Sequence, residues 1–420
     1  AMAPPVVARL CDDAVTLSNG RRLPASPPRS TSYVMPEGTP AATGLPEFDR
    51  PIFIGNDIYR RSNFGPKHPL SIPRVPATID LARALGWLDD ANYRTSEAAT
   101  PAEIERFHHP DYLDALRRAE RDGSLPAAER VRYNLGKLEN PIHATMYQRP
   151  SISAGAVLQA AELLSATRPA PGRRAVVYSP AGGTHHGRPD RASGFCYFND
   201  VVLGILRLLD RGVGRVYYAD FDAHHGDGVQ DAFADDDRVF TVSIHEAGRW
   251  PRSGPVDDRA GGAARNLPVP PGFNDSELDL LVEDVVLPLG RLHAPDVVVI
   301  QCGADALAED PLSKLELSNG ALWRAVARTM QLADRVLVLG GGGYNPWSVA
   351  RCWTGVWGTI NEQAIPARLP VPAEAVLRGL SWHRQAGRNP PDHWFTTLAD
   401  LPRPGPVRDS VTTLVRRAMG

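Results

Sequence analysis

The chain is expected to fold as an α/β protein, an open and mostly parallel sheet with helices on both faces. From Pro51 onward, short apolar runs rich in Val, Ile or Tyr alternate with segments whose apolar residues recur at three- and four-residue spacing. Strands alternating with helices pair in parallel, because each helix carries the chain back across the sheet. Polar, ionisable or glycine-bearing residues follow five of the apolar runs, and that edge of a parallel sheet is where ligands bind.

The first strand is expected at Ile52–Ile54, followed by helices at Ala77–Trp87, Pro110–Asp122 and Ala154–Ser165. A strand at Ala175–Tyr178, a helix at Asn199–Asp210 and strands at Arg215–Phe221 and Val239–Ile244 come next. The remaining elements are a helix at Ser276–Leu292, a strand at Val297–Gln301, a helix at Ala321–Ala333, a strand at Arg335–Leu339 and a helix at Pro346–Ile360. Residues 1–48 carry eight prolines among small polar residues and read as an extended arm. The main domain is expected over 49–365. Residues 366–420 form a Pro-rich extension, packed on the domain or trailing from it, with no chemistry assigned to its Trp382, His383, His393 and Trp394.

With 420 residues, 43% of them hydrophobic, the chain can bury a large core. A net charge of -2 offers no basic field, so direct nucleic-acid binding is not expected. No run of about 18 apolar residues suggests a membrane span, and Ala1 to Leu10 show no secretory signal. Cys11, Cys196, Cys302 and Cys352 lack pairing spacing, which points to reduced thiols and a cytoplasmic location. Oligomeric state is not legible.

The densest chemistry lies in the run from Tyr217 to Gly228, where an apolar strand meets carboxylates and imidazoles. Asp222 and His224 are two apart, so on extended backbone both face one side and can reach one ion. An isolated pair of this kind more often caps a turn. Asp305, after the strand Val297–Gln301, is the natural third ligand, leaving open positions as catalytic zinc requires. Iron or manganese would also accept this oxygen and nitrogen set.

His185-His186 follow Gly182-Gly183, and Asp220 and Asp227 can each accept an imidazole N–H, fixing a tautomer and raising basicity. One imidazole could take a proton from metal-bound water, and the other could remain charged or deliver a proton to a leaving group. Tyr344 follows Gly340 to Gly343, a run without the lysine of a phosphate-binding loop, and its hydroxyl could hold a developing oxyanion. Phe195 and Trp250, from separate loops, could wall a narrow apolar slot.

Four blocks in order, Gly182 to Asp200, Asp220 to Gly228, Gln301 to Asp305 and Gly340 to Asn345, resemble the histone deacetylase superfamily of metal-dependent amidohydrolases. The likeness runs from about Ile52 to Trp357. Leu138-Glu139-Asn140-Pro141 and Ser243-Ile244-His245-Glu246 are similar to blocks of its bacterial acetoin utilization branch, close to the class I enzymes. The resemblance implies an arginase-like fold and zinc on Asp222, His224 and Asp305. It also implies acid/base work by His185, read as the base, and His186, read as the acid, with Asp220 and Asp227, and an electrophilic Tyr344. Glu139, Gly194, Phe195, Trp250 and Gly342 would contact substrate, and a structural potassium would use Asp220, Asp222, His224, Ser243 and Ile244. Two positions depart from the family pattern: Trp250 stands where class I members have Phe, and Glu139 where an Asp is common.

The implied activity is removal of acetyl or other acyl groups from N-ε-acyl-lysine in proteins, with an acetylated acyl-CoA synthetase as the kind of target the branch suggests. A small-molecule acetylpolyamine hydrolase would share every catalytic residue but commonly bears an inserted acidic loop, which is not found here. An arginase-type dimanganese enzyme would need a second D-x-D set, also not found. A non-catalytic acyl-lysine binder would usually have lost a ligand or Tyr344.

Overall fold

Eight strands pair in parallel throughout this computed structural model, which describes residues 50–61, 64–65, 67–169 and 171–420. The expected N-terminal arm and Cys11 lie outside the described residues. In chain order the strands are β1 (Ile52–Gly55), β2 (Tyr93–Thr95), β3 (Ala175–Ser179), β4 (Val216–Asp220), β5 (Val239–Glu246), β6 (Ala264–Val269), β7 (Val297–Gln301) and β8 (Arg335–Leu339). In space they run β2-β1-β3-β8-β7-β4-β5-β6. β3, β4 and β7 are buried at every position, which is why their sequences are unbroken apolar runs rather than alternating ones.

The two strands not expected from sequence, β2 and β6, are the sheet's edges. β2 has only three residues, two of them exposed. β6 contains Pro268, which cannot donate to a ladder and so signals against a strand anywhere but at an edge. β5 runs on past the expected Ile244 and ends with His245 and Glu246.

Helices Pro110–Asp122 and Pro346–Ile360 lie where expected, each with proline in its first turn. Helix Arg74–Ala84 starts three residues before the expected Ala77, because Pro76 is accommodated in the first turn. Helix Gln148–Ala166 likewise extends upstream through Pro150. The long helix expected at Ser276–Leu292 is instead Asp275–Leu281, a π-turn at Val282–Val286 and Leu287–His293. Pro288 removes one N–H from the ladder, and the wider turn before it absorbs the gap.

The C-terminal extension is packed structure. Helices Val371–Arg378 and Asp409–Met419 bury Ala373, Leu377, Val411, Leu414 and Ala418 in the same core as Trp347, Trp353 and Trp357. The buried Glu277 receives Arg408 Nη2 at 2.6 Å, joining the extension to helix Asp275–Leu281. Among the described residues, Cys196, Cys302 and Cys352 are free and buried, and no helix is long and apolar enough to cross a membrane.

Candidate active site

Strands β3, β8, β7, β4 and β5 are neighbours in the sheet, so the loops leaving their C-terminal ends meet. Asp222, His224 and Asp305 are all buried and offer ligand atoms within 4.8 Å of one another. The route to this convergence differs from the sequence argument. β4 ends at Asp220, and Asp222 and His224 lie in the turn beyond it rather than on extended backbone. There the Asp222 N–H donates to Asp220 Oδ1 at 3.0 Å and the His224 N–H to Asp222 Oδ1 at 2.9 Å. Side-chain acceptors fold the backbone back, in the manner of an Asx turn, and present both groups to one point.

These three residues fit a divalent metal. His224 Nδ1 stands 2.9 Å from Asp305 Oδ2 and 3.2 Å from Asp222 Oδ1. The other carboxylate oxygens are taken: Asp222 Oδ2 accepts from Gln301 Nε2 at 2.9 Å and the Gly342 N–H at 2.7 Å, and Asp305 Oδ1 from the Ala223 N–H at 3.0 Å. Burial, then the charge of Asp222, push the Asp305 carboxyl up to about 6. Two buried carboxylates facing one imidazole call for a cation, and an oxygen, nitrogen, oxygen donor set suits zinc or another first-row ion.

Gly183 and Thr184 donate their N–H groups to the buried Asp200 Oδ1 at 3.0 and 2.9 Å, which pins the loop that delivers the histidine pair. His185 Nδ1 is 2.8 Å from Asp220 Oδ2, and His186 Nδ1 is 2.7 Å from Asp227 Oδ1. Arg188 also bonds Asp227. Burial pushes the His185 imidazole down, but the charges of Asp220 and Asp222 outweigh it and raise it to about 9. Burial, and next the neighbouring His185, lower His186 to about 3. The environments of the two rings therefore diverge although the rings are 4.0 Å apart.

Tyr344 is brought in by the glycine run, in which Gly341 and Gly343 have φ of 141° and 130°. Its ring lies 5.8 Å from that of Phe195, and burial, then the charges of Asp305 and Asp222, hold its hydroxyl well above the ordinary value, as a proton donor. Gly342, expected at the substrate, points its N–H at Asp222 and lines a cavity with His186, Phe195 and Tyr344. A Cβ there would fall 2.0 Å from Asp305 Oδ2, so the residue serves the ligand cluster.

A groove of about 420 Å³ descends to this cluster between Phe195 and Trp250, with Pro69, Leu138, Glu139 and Tyr344 along it. Trp250, 40% exposed, meets His186 edge-on with ring centroids 4.7 Å apart. Gly194 and Phe195 both have positive φ, 54° and 67°. Glu139 Oε1 accepts the Gly194 N–H at 2.7 Å and Asn140 Oδ1 the Phe195 N–H at 3.1 Å, which hold that strained turn against the groove. Of the residues expected at a potassium site, Asp220 and Ser243 are side by side on β4 and β5, with Ile244 next along β5. The Ser243 hydroxyl is 2.9 Å from His245 Nδ1.

Three residues of the site went unread in the sequence. Arg74, half-buried, donates from Nη1 to the Gly341 carbonyl at 2.6 Å and lines a small cavity of about 40 Å³ beside the histidines. Asp310 Oδ2 accepts the Tyr344 N–H at 2.6 Å. Gln301 holds Asp222, and a polar residue closing the run Val-Val-Val-Ile was a signal that could have revealed it.

The C-terminal edge of the parallel sheet thus carries a metal-capable triad, carboxylate-bound imidazoles and a tyrosine at the floor of an apolar groove, the group set of a hydrolase. Residues 68–360 match the family model described as "Histone deacetylase domain", and the chain belongs to the histone deacetylase family. It is 32% identical over 373 residues to the acetoin utilization protein AcuC of Bacillus subtilis, spanning 86% of this chain and 93% of that one. It is 37% identical over 314 residues to histone deacetylase 9 of Arabidopsis thaliana, spanning 73% and 72%. Its fold matches the crystal structure of a histone deacetylase homologue from Aquifex aeolicus with TM-score 0.82 and 34% identity, covering 88% of this chain and 100% of that one. That match and the relation to AcuC place it as an AcuC-like member with an arginase/deacetylase-type α/β fold.

Proposed function

We propose that the chain is a zinc-dependent deacylase that hydrolyses the amide of N-ε-acetyl-lysine in proteins. One observation carries the reading: the triad of Asp222, His224 and Asp305 faces His186 and Tyr344 at the floor of a groove walled by Phe195 and Trp250. An aliphatic lysine stem fits between two aromatic faces, and its acyl end then reaches polar groups.

Asp222, His224 and Asp305 would hold the ion, which when bound supplies Lewis acidity to a carbonyl and to water. The Tyr344 hydroxyl donates a hydrogen bond to the amide oxygen as charge develops there. Of the two imidazoles only His186 lines the groove, with Asp227 on its Nδ1 fixing the tautomer that leaves Nε2 free as an acceptor. We therefore assign His186 both proton roles, taking the proton from attacking water and returning it to the departing amine nitrogen. His185, set back against Asp220, is the ring whose surroundings favour the protonated form, which would favour the oxyanion. This revises the division expected from sequence, where His185 was the base. The two rings touch, and their titrations are shared.

A protein substrate is favoured over a cationic acetylpolyamine because the groove gives a polycation little to bind. Among the described residues its lining has one carboxylate, Glu139, whose Oε1 accepts the Gly194 N–H, and Glu246 nearby is held by both ends of Arg249. Comparing kcat/KM for an acetyl-lysine peptide and for a monoacetylated diamine, with zinc present, tests this. The peptide should be favoured at least about tenfold, and a preference for the diamine would select the small-molecule reading.

A further inference from the structure

Beside the groove lies a second cleft of about 160 Å³, formed between residues 67–73 and residues 379–384 of the C-terminal extension. Pro69 lines both. Ile72 and Trp382 give the cleft an apolar side, and Trp382 is fixed by its edge-on contact with Trp347, ring centroids 6.4 Å apart. Exposed Lys67, His383 and Arg384 also line it, and among the described residues the lining contains no Asp or Glu.

The charge of this cleft is unanswered. Among the described residues neither Lys67 nor Arg384 forms an ion pair, whereas Arg249 at the groove is bound bidentately by Glu246 at 2.7 and 2.8 Å. Cationic groups gathered around an apolar surface, without a carboxylate among them, favour an anionic occupant. Because Pro69 belongs to both hollows, an extended chain with its acyl-lysine in the groove passes the cleft within roughly three residues, at about 3.3 Å per residue.

We propose that the cleft is a specificity subsite that takes a carboxylate side chain, Asp or Glu, lying within about three residues of the acyl-lysine. The proposal rests on the acyl-lysine reading above and narrows it to acidic sequence contexts. It also gives the C-terminal extension a part in substrate choice, since His383 and Arg384 belong to it.

The test uses labelled acetyl-lysine peptides carrying a single Asp or a single Ser at each of the three positions on either side. Binding is read by fluorescence anisotropy on zinc-loaded Tyr344→Phe protein. Asp should bind about fivefold tighter than Ser at one or two positions, with the ratio shrinking in high salt. It should fall to about one in a protein that also carries Lys67→Ser and Arg384→Ser and melts at the same temperature. Equal binding of Asp and Ser at every position, or a preference that survives the double substitution, overturns the subsite alone. If zinc-loaded wild type releases no acetate from the Ser peptides, the acyl-lysine reading fails and the subsite fails with it.

Discussion

Asp310 Oδ2 accepts the backbone N–H of Tyr344 at 2.6 Å, while its Oδ1 accepts that of Leu312 at 2.8 Å. A single buried carboxylate thus ties the residue assigned to the developing oxyanion to a residue lining the groove. Burial and then the charge of Asp305 push this carboxyl up to about 8, so its surroundings favour the neutral form, which still offers an acceptor oxygen to Tyr344. Asp310→Ala should lower kcat by roughly tenfold to a hundredfold through misplacement of the hydroxyl, and Asp310→Asn, which keeps one acceptor oxygen, should fall between. Bound zinc should be unchanged in both. An unaltered kcat in Asp310→Ala would remove the positioning role.

Gly194 cannot accept a side chain. A Cβ there would meet Trp250 Cη2 at 2.4 Å and His186 Cδ2 at 2.6 Å, on backbone with φ of 54°. Gly194→Ala should therefore push the Trp250 wall and the His186 ring apart and reduce kcat/KM by about a hundredfold. Adding Trp250→Ala, which removes one of the two clashes, should recover part of the loss. Additive losses in the double variant would show that the two residues do not share the wall.

His108 links acid pH to stability. It is fully buried, its Nε2 accepts the Asn199 N–H at 3.0 Å, and burial lowers its imidazole from 6.5 to about 3. Asn199 caps helix Asp200–Asp210 and also donates to the carbonyls of His185 and Gly187. The folded value lies below the unfolded one, so the unfolded chain takes the proton first. The contribution is complete above pH 6.5 and is lost as pH falls towards 3, by about 1.4 kcal/mol per unit. Between pH 7.5 and 5 the wild type should lose about 2 kcal/mol more than His108→Gln in urea unfolding. Matching losses in the two proteins would contradict this.

Much of the site was legible because its chemistry sits at strand ends. β7 and β8 matched their expected spans, and the side chains following β3, β4, β7 and β8 meet as the rule for parallel sheets requires. What was not legible depends on contacts distant in sequence. Nothing near Asp310 announces that it will hold a backbone N–H 34 residues onward, and Arg74 sits among apolar and proline residues with its partner carbonyl at Gly341. β2 and β6 escaped because edge strands are short or tolerate proline. The prolines of the extension beyond 366 left open whether it packs on the domain or trails from it, and Trp394, Leu398 and Val411 are buried in the core. Proline density reports where helices cannot continue rather than whether a segment packs.

The ion should stabilise the fold as well as serve the chemistry. Asp222 and Asp305 are buried together, and a ligand that binds only the folded state adds about 4 kcal/mol at a thousandfold excess over its Kd. Chelation should lower Tm and zinc should restore it. Asp305→Asn should melt at a temperature indifferent to zinc, and a zinc-dependent Tm in that variant would place the ion elsewhere.

Acetate release from an acetyl-lysine peptide tests the central claim most directly. The zinc-loaded protein should release acetate and free lysine in equal amounts over many turnovers, the chelated protein should release none until zinc is returned, and Tyr344→Phe should retain zinc yet lose most of kcat. Release that persists after complete removal of the metal, or an unaltered rate in Tyr344→Phe, would contradict the account.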